Sequence, residues 1–144
     1  MHCSLTSTLL PKHLWVLLAA YFVASLTHFM HNAEFIAVYP GMPAWITRET
    51  VYQAWLAITG LGVAGLIVLR LGLRALGVLF VGVYGAFGLD GLGHYTLALC
   101  SEHTLVTNVT IWFEAVAGLT LALASALQVA RMRVMTSEGK HVRL

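Results

Sequence analysis

Residues 13–38 read HLWVLLAAYFVASLTHFMHNAEFIAV, and Glu34 is the one Asp, Glu, Lys or Arg among them. As a helix rising 1.5 Å per residue, such a run spans about 39 Å, more than the roughly 30 Å of a bilayer's hydrocarbon core. Pro40, Gly41 and Pro43 end it, because proline withholds a backbone N–H and pushes the residue before it out of helical geometry. Three further stretches of the same kind follow, over 51–69, 75–99 and 105–130. Thr50 is placed to cap the second, Arg70 and Arg74 bracket a tight turn before the third, and a loop at 100–104 precedes the fourth. The fold class predicted is an all-α integral membrane protein, a four-helix transmembrane bundle forming a single domain over residues 1–144, with a flexible tail over 131–144.

The composition excludes the soluble alternative. The 144 residues are 59% hydrophobic and 10% charged, with a mean hydropathy of +0.82, whereas a soluble domain carries about 25% charged residues. A chain this short cannot build a core large enough to bury four such stretches. The basic residues lie at span ends, so the net charge of +2 reflects topology and leaves no footprint for nucleic acid. The first stretch is longer than a signal peptide's apolar segment and no small-residue cleavage site follows it, so it reads as a retained span. Cys3 precedes the first span and Cys100 follows the third, which sets them on opposite sides of the membrane, unable to pair. Asn108-Val109-Thr110 matches a glycosylation sequon but lies just inside a span.

Four spans return the chain to the side on which it began. Lys12, Arg70, Arg74, Arg131, Arg133, Lys140 and Arg143 fall on that side and Arg48 alone on the other, which predicts cytoplasmic termini. On this frame His28, His31, Asn32, Glu34, Gln53, Asp90, His94, Asn108 and Glu114 all fall in the outer leaflet. Polar groups in hydrocarbon are costly and mark functional sites by default. At 100° per residue His28, His31 and Glu34 share one sector of the first span, while Asp90 with His94 and Thr110 with Glu114 are i, i+4 neighbours. Each polar face must turn inward, since lipid cannot satisfy it.

Imidazoles and carboxylates spaced i, i+3 or i, i+4 on facing helices are the usual makings of a bundle-core metal site. The candidate ligands are His28, His31, Glu34, His94 and Glu114 for zinc, iron or copper, with Asp90, Asn32, Asn108 and Gln53 supporting them from behind. His31, Glu34 and Glu114 are the candidate catalytic groups, and the substrate of such an enzyme would be lipidic or apolar. Three alternatives stand beside this reading. Two histidines on facing helices could hold a b-type haem. The same groups could perform metal-free acid–base isomerisation. Or the chain could be a non-catalytic accessory subunit, packing in a homo-oligomer or larger membrane complex through glycines such as Gly60, Gly62, Gly65, Gly82, Gly85 and Gly88. His103 is placed to cap the pocket, and Trp55 and Trp112 to line it; the tryptophans otherwise suit the membrane boundary.

The run His31-Asn32-Ala33-Glu34-Phe35, followed by Tyr39-Pro40 and Pro43-Ala44-Trp45-Ile46, resembles the HXXEE-motif family of small bacterial integral membrane proteins, with Phe35 where that motif has its second glutamate. The resemblance covers the first third of the chain. It implies a bacterial inner-membrane location and a shared site for His31 and Glu34, and it carries no activity with it. Emopamil-binding-like sterol isomerases also place His and Glu in a small helical membrane bundle, an analogy of residue type alone.

Overall fold

The computed structural model describes residues 9–141, with side chains described through Val134. Cys3, most of the leader and the side chains of Lys140 and Arg143 lie outside the described residues. Helix α1 spans Lys12–Glu34, α2 Arg48–Arg70, α3 Arg74–Ala86 and α4 Leu105–His141. Beyond α3 the third span continues as a 3₁₀ helix over Phe87–Gly93 and one α-turn over His94–Leu97. Four described stretches are long and apolar enough to cross a membrane: Lys12–Glu34, Arg48–Arg70, Arg74–Leu97 and Leu105–Val134. The chain is an all-helical integral membrane protein, and Leu56, Val63, Val116, Leu123 and Leu127 stand exposed on its outer faces, where lipid covers them.

Local chemistry moves several expected boundaries. The cap of α2 is Thr47, not Thr50: the Thr47 hydroxyl accepts from the Thr50 N–H at 3.3 Å, and the Thr50 hydroxyl accepts from the Thr47 N–H at 2.9 Å. This reciprocal pair satisfies two donors at the helix start and begins α2 at Arg48. The first span stops at Glu34, after which Ile36–Val38 form a 3₁₀ turn and Tyr39 takes an extended conformation ahead of Pro40. The last helix continues through His141, because nothing between Arg131 and Glu138 breaks it.

At the end bearing the termini, Leu10, Leu14, Leu18, Leu69, Val78, Val81 and Leu121 form one apolar cluster. At mid-depth the Tyr21 and Tyr84 rings meet edge to face, 4.6 Å between centroids. The third span lies against α4 along a line of glycines. A Cβ on Gly82 would meet Ser125 at 3.0 Å, on Gly85 the Gly118 carbonyl oxygen at 2.8 Å, on Gly88 the Glu114 carbonyl oxygen at 2.8 Å, and on Gly91 the Glu114 carboxylate at 3.1 Å. In an α-helix a three-residue repeat drifts 60° per step and would leave the interface; in a 3₁₀ helix residues three apart eclipse. The 3₁₀ segment from Phe87 therefore keeps Gly88 and Gly91 on α4. Gly65 and Gly77 likewise pack between α2 and α3, and Gly62 packs on Tyr84. These glycines pack within the chain, while Gly60 on α2 has nothing within 4 Å of its Cβ position.

Candidate functional site

On α1, Tyr21, Ser25, His28 and Asn32 are buried and fall at intervals of four, three and four residues, a single helical stripe facing the bundle interior. On α4 the answering residues are Thr107, Thr110 and Glu114, all buried. His28, 2% exposed, is held between two of them: Nδ1 lies 3.3 Å from the Thr110 hydroxyl and Nε2 lies 3.7 Å from the Glu114 carboxylate, itself 1% exposed. Gly91 makes room for this pair, since a Cβ there would stand 3.1 Å from Glu114 Oε2 and 3.5 Å from His28 Nε2.

The hydrogen bonds assign protons. The Thr110 hydroxyl gives its one hydrogen to the Thr107 carbonyl at 2.9 Å, so toward His28 it can only accept. His28 therefore carries a proton on Nδ1. In the neutral imidazole Nε2 is then a bare lone pair aimed at Glu114, whose two oxygens make no hydrogen bond. The His28–Glu114 pair thus has one proton to share, either as imidazole with carboxylic acid or as imidazolium with carboxylate. Ser25 stands beside Glu114 on its inner side.

Above this pair lies a group of rings. His94 meets His28 with centroids 5.5 Å apart, and its Nε2 lies 3.3 Å from the Asn32 amide nitrogen, whose oxygen is buried without a partner. Tyr39, 3% exposed, is the hub: its ring centroid lies 4.9 Å from that of His94, 5.7 Å from His31, 6.4 Å from His103 and 6.5 Å from His28. Its hydroxyl bonds His31 Nδ1 at 2.8 Å. Burial pushes the Tyr39 phenol up to about 12, with the Glu114 carboxylate adding to the rise and the nearby Thr110 and Thr107 hydroxyls opposing it. Tyr39 is therefore a neutral donor at physiological pH. His103, buried, gives its Nδ1 hydrogen to the Leu99 carbonyl at 3.0 Å, which leaves a buried and unpartnered Nε2. It packs against Tyr39, His94 and Tyr95 and does not line the cavity below.

The structure brings His28, His94, Glu114 and Asn32 together with His31 at the edge, and sends other expected residues elsewhere. Glu34 is 40% exposed and points to the start of α2, where its carboxylate accepts from Arg48 at 2.8 and 2.9 Å and from the Tyr52 hydroxyl at 2.8 Å. The inward stripe runs through His28 and Asn32, and Glu34, six positions from His28, lies 120° around the helix from it. Asp90 is exposed and makes no hydrogen bond to His94, because four residues of 3₁₀ helix turn 120° away from register where an α-helix returns nearly to it, yet it lines the same cavity as His28 and His94. Gln53 is exposed, two residues and 200° from the inward Val51. Asn108 accepts from the Tyr95 hydroxyl at 2.8 Å and donates to the Cys100 carbonyl at 3.0 Å, so it fastens the 95–100 segment to α4 and stands apart from the imidazoles. Tyr39 was missed by sequence reasoning, because it lies past the end of α1, where no periodicity marks an inward residue.

A cavity of about 350 Å³ opens onto this site between α1, the start of α2 and the end of the third span. His28, Asn32, His94, Asp90 and Thr50 contribute its polar lining, and Phe29, Trp45 and Val51 part of its apolar wall. Trp45 takes the lining role expected of Trp55 and Trp112; Trp112 is exposed and stacks near Tyr95. Among the described residues no three His, Cys, Asp or Glu side chains are arranged to hold one metal ion. His28 and His94 pack on each other and on Tyr39. Compared with family models, curated proteins and solved structures, the chain has no match.

Proposed function

We propose that this protein is a small membrane-embedded enzyme performing acid–base isomerisation on an apolar substrate, with no metal required for the proton transfers. The observation that carries the reading is the buried His28–Glu114 pair with one proton to share, whose His28 reaches the floor of a largely apolar cavity while Glu114 lies behind it. An isomerisation of an unsaturated alcohol or ketone needs a proton placed on one carbon and another removed from a neighbouring position as the double bond shifts. The His28–Glu114 pair supplies the first proton and His94 accepts the second, so the reaction needs no oxidant and no net proton. Proton exchange with water entering the cavity returns His94 and the His28–Glu114 pair to their starting states. Tyr39, a neutral donor, orients the imidazole layer, and Thr110 holds His28 in one tautomer. With the basic residues at the terminal end, the site belongs to the outer leaflet.

The same pair could also place an imidazole and a carboxylate on one ion, and the 3.7 Å between Nε2 and Oε2 is what favours that second reading. One experiment separates them. The purified protein, with and without chelator, is supplied in heavy water with unsaturated long-chain alcohols and ketones, and deuterium entering carbon is read by mass spectrometry. Positioned acid–base groups are worth roughly 10²–10⁴ in rate, so His28→Gln and Glu114→Gln are expected to lose exchange by at least about 10²-fold while chelator changes nothing. Exchange that survives both substitutions, or appears with none of these compounds, overturns the proposal; exchange lost on chelation favours the metal.

A further inference from the structure

A second cavity lies on the same seam between α1 and α2. It measures about 300 Å³ and is lined by Trp15, Phe22, Val63 and Tyr84 among others, with Thr59 its one further polar side chain. It begins where the first cavity stops. Phe29, Thr50, Val51 and Ala54 border the upper one, and Phe22, Thr59 and Val63 the lower, one to two turns deeper on each helix. Between them the rings of Phe22 and Trp55 meet at 5.8 Å, and the Trp55 Nε1 is buried at this junction with no hydrogen bond. From Asn32 to Trp15 the seam extends about 25 Å along α1 at 1.5 Å per residue, close to the thickness of the hydrocarbon core.

The two cavities differ in chemistry in the way the two ends of an amphiphile do. The upper cavity offers imidazoles, an amide, the Thr50 hydroxyl and the Asp90 carboxylate, which itself repels an anion. No lysine or arginine lines it, and Arg48 nearby is committed to Glu34, so an anionic head would meet no cation. A hydroxyl, which both donates and accepts, matches the imidazole nitrogens and the amide that line it. The lower cavity offers almost nothing but hydrocarbon. We propose that the substrate is a single-chain neutral amphiphile, an alcohol or its carbonyl counterpart, whose head sits on His28, Asn32 and His94 and whose tail passes Phe22 and Trp55 into the lower cavity. This assignment of the substrate class rests on the acid–base reading of the same site. The lower cavity acts as its tail-length selector.

Photolabelling of the full chain in detergent tests it with two probes: a short-chain alcohol with a diazirine beside the hydroxyl, and a long-chain alcohol with a diazirine at the tail end. The head-labelled probe is expected to mark the upper cavity at Met42, Trp45 or Leu97, and the tail-labelled probe to mark Trp15, Phe22 or Val63. Excess unlabelled long-chain alcohol is expected to suppress both at least tenfold, and excess phosphatidylcholine neither. Ala19→Trp and Val63→Trp, each filling the lower cavity from its lipid-facing rim, are expected to cut tail labelling at least tenfold. Head labelling is expected to stay at the wild-type level in both variants, which also shows that they fold. Tail adducts spread evenly over lipid-facing residues such as Val16, Leu56 and Val116, competed by phosphatidylcholine, or surviving both substitutions, overturn the tail assignment and leave the acid–base reading standing. Absence of head labelling from the upper cavity overturns both.

Discussion

Replacing Gly118 with alanine tests whether the close contact between α4 and the third span sets both stability and the site. A Cβ at 118 would meet the Gly85 carbonyl oxygen, the Gly88 Cα at 2.9 Å and the Tyr21 Cε2 at 3.0 Å. Carbon atoms prefer about 3.5–4.0 Å, so the two backbones must part by roughly 0.5–1 Å. Overpacking costs about 1–3 kcal/mol, and the upper end applies where the obstacle is backbone, which has no rotamer to retreat into. Alanine returns up to about 1 kcal/mol of helix propensity, leaving a net loss of about 2 kcal/mol. Gly60→Ala is the control: nothing stands within 4 Å of its Cβ, so the variant is expected to be neutral or up to about 1 kcal/mol more stable. Denaturation of the purified protein by SDS titration, followed by circular dichroism, reads both values. Because Glu114 lies one turn before Gly118, separation of the helices also carries its carboxylate away from His28, and deuterium exchange is expected to fall with stability. If Gly118→Ala unfolds at the same denaturant concentration as Gly60→Ala, the tight contact is not what holds the third span in place.

Thr47→Ala removes the reciprocal cap of α2 and is expected to cost about 1 kcal/mol in the same titration; no change would mean that α2 starts without it. Glu34→Gln is expected to weaken the Arg48 contact while leaving deuterium exchange at the wild-type level, and a loss of exchange would return Glu34 to the site. Tyr39 stays protonated in the folded chain up to about 12, while the unfolded chain gives up this proton near the ordinary value of 10.0. Stability is therefore full below pH 10 and lost as pH rises through about 12, and Tyr39→Phe is expected to lack this part of the alkaline decline; equal declines would remove the burial of the phenol as its cause.

The fold was legible because hydrocarbon imposes one rule on every residue in it, and four nearly uncharged runs separated by prolines, arginines and a polar loop leave few alternatives to four spans. The site was legible in part for the same reason. His28, His94 and Glu114 are polar groups at one depth of three spans, and depth follows from counting residues. Facing does not follow so simply. Glu34 was counted with His28 and His31 as one 120° sector, but the structure draws its interior from only the side of that sector that holds His28, and Arg48 and Tyr52 claim the carboxylate at the other edge. Asp90 was paired with His94 by an α-helical period that the chain abandons at Phe87. Tyr39 carried no periodic signal, since its place is set by the turn after α1, and turns bring residues together across distances that a helical wheel cannot represent.

The three-residue glycine repeat connects these observations. Gly82, Gly85, Gly88 and Gly91 can all face α4 only if the helix tightens to three residues per turn, and the tightening begins where an α-helix would have rotated Gly88 and Gly91 off the interface. The same tightening turns Asp90 outward, opens space at Gly91 for the His28–Glu114 pair and delivers His94 over His28. A side chain at Gly91 would close the space from one side, and an α-helical third span would put a different residue there. Close helix packing and the proton-sharing pair are thus consequences of one local choice of backbone geometry, so selection for either acts on the same four glycines. It follows that substitutions at Gly88 and Gly91 should not separate neatly into structural and functional effects, whereas those at His94, which lines the cavity without lying under α4, should.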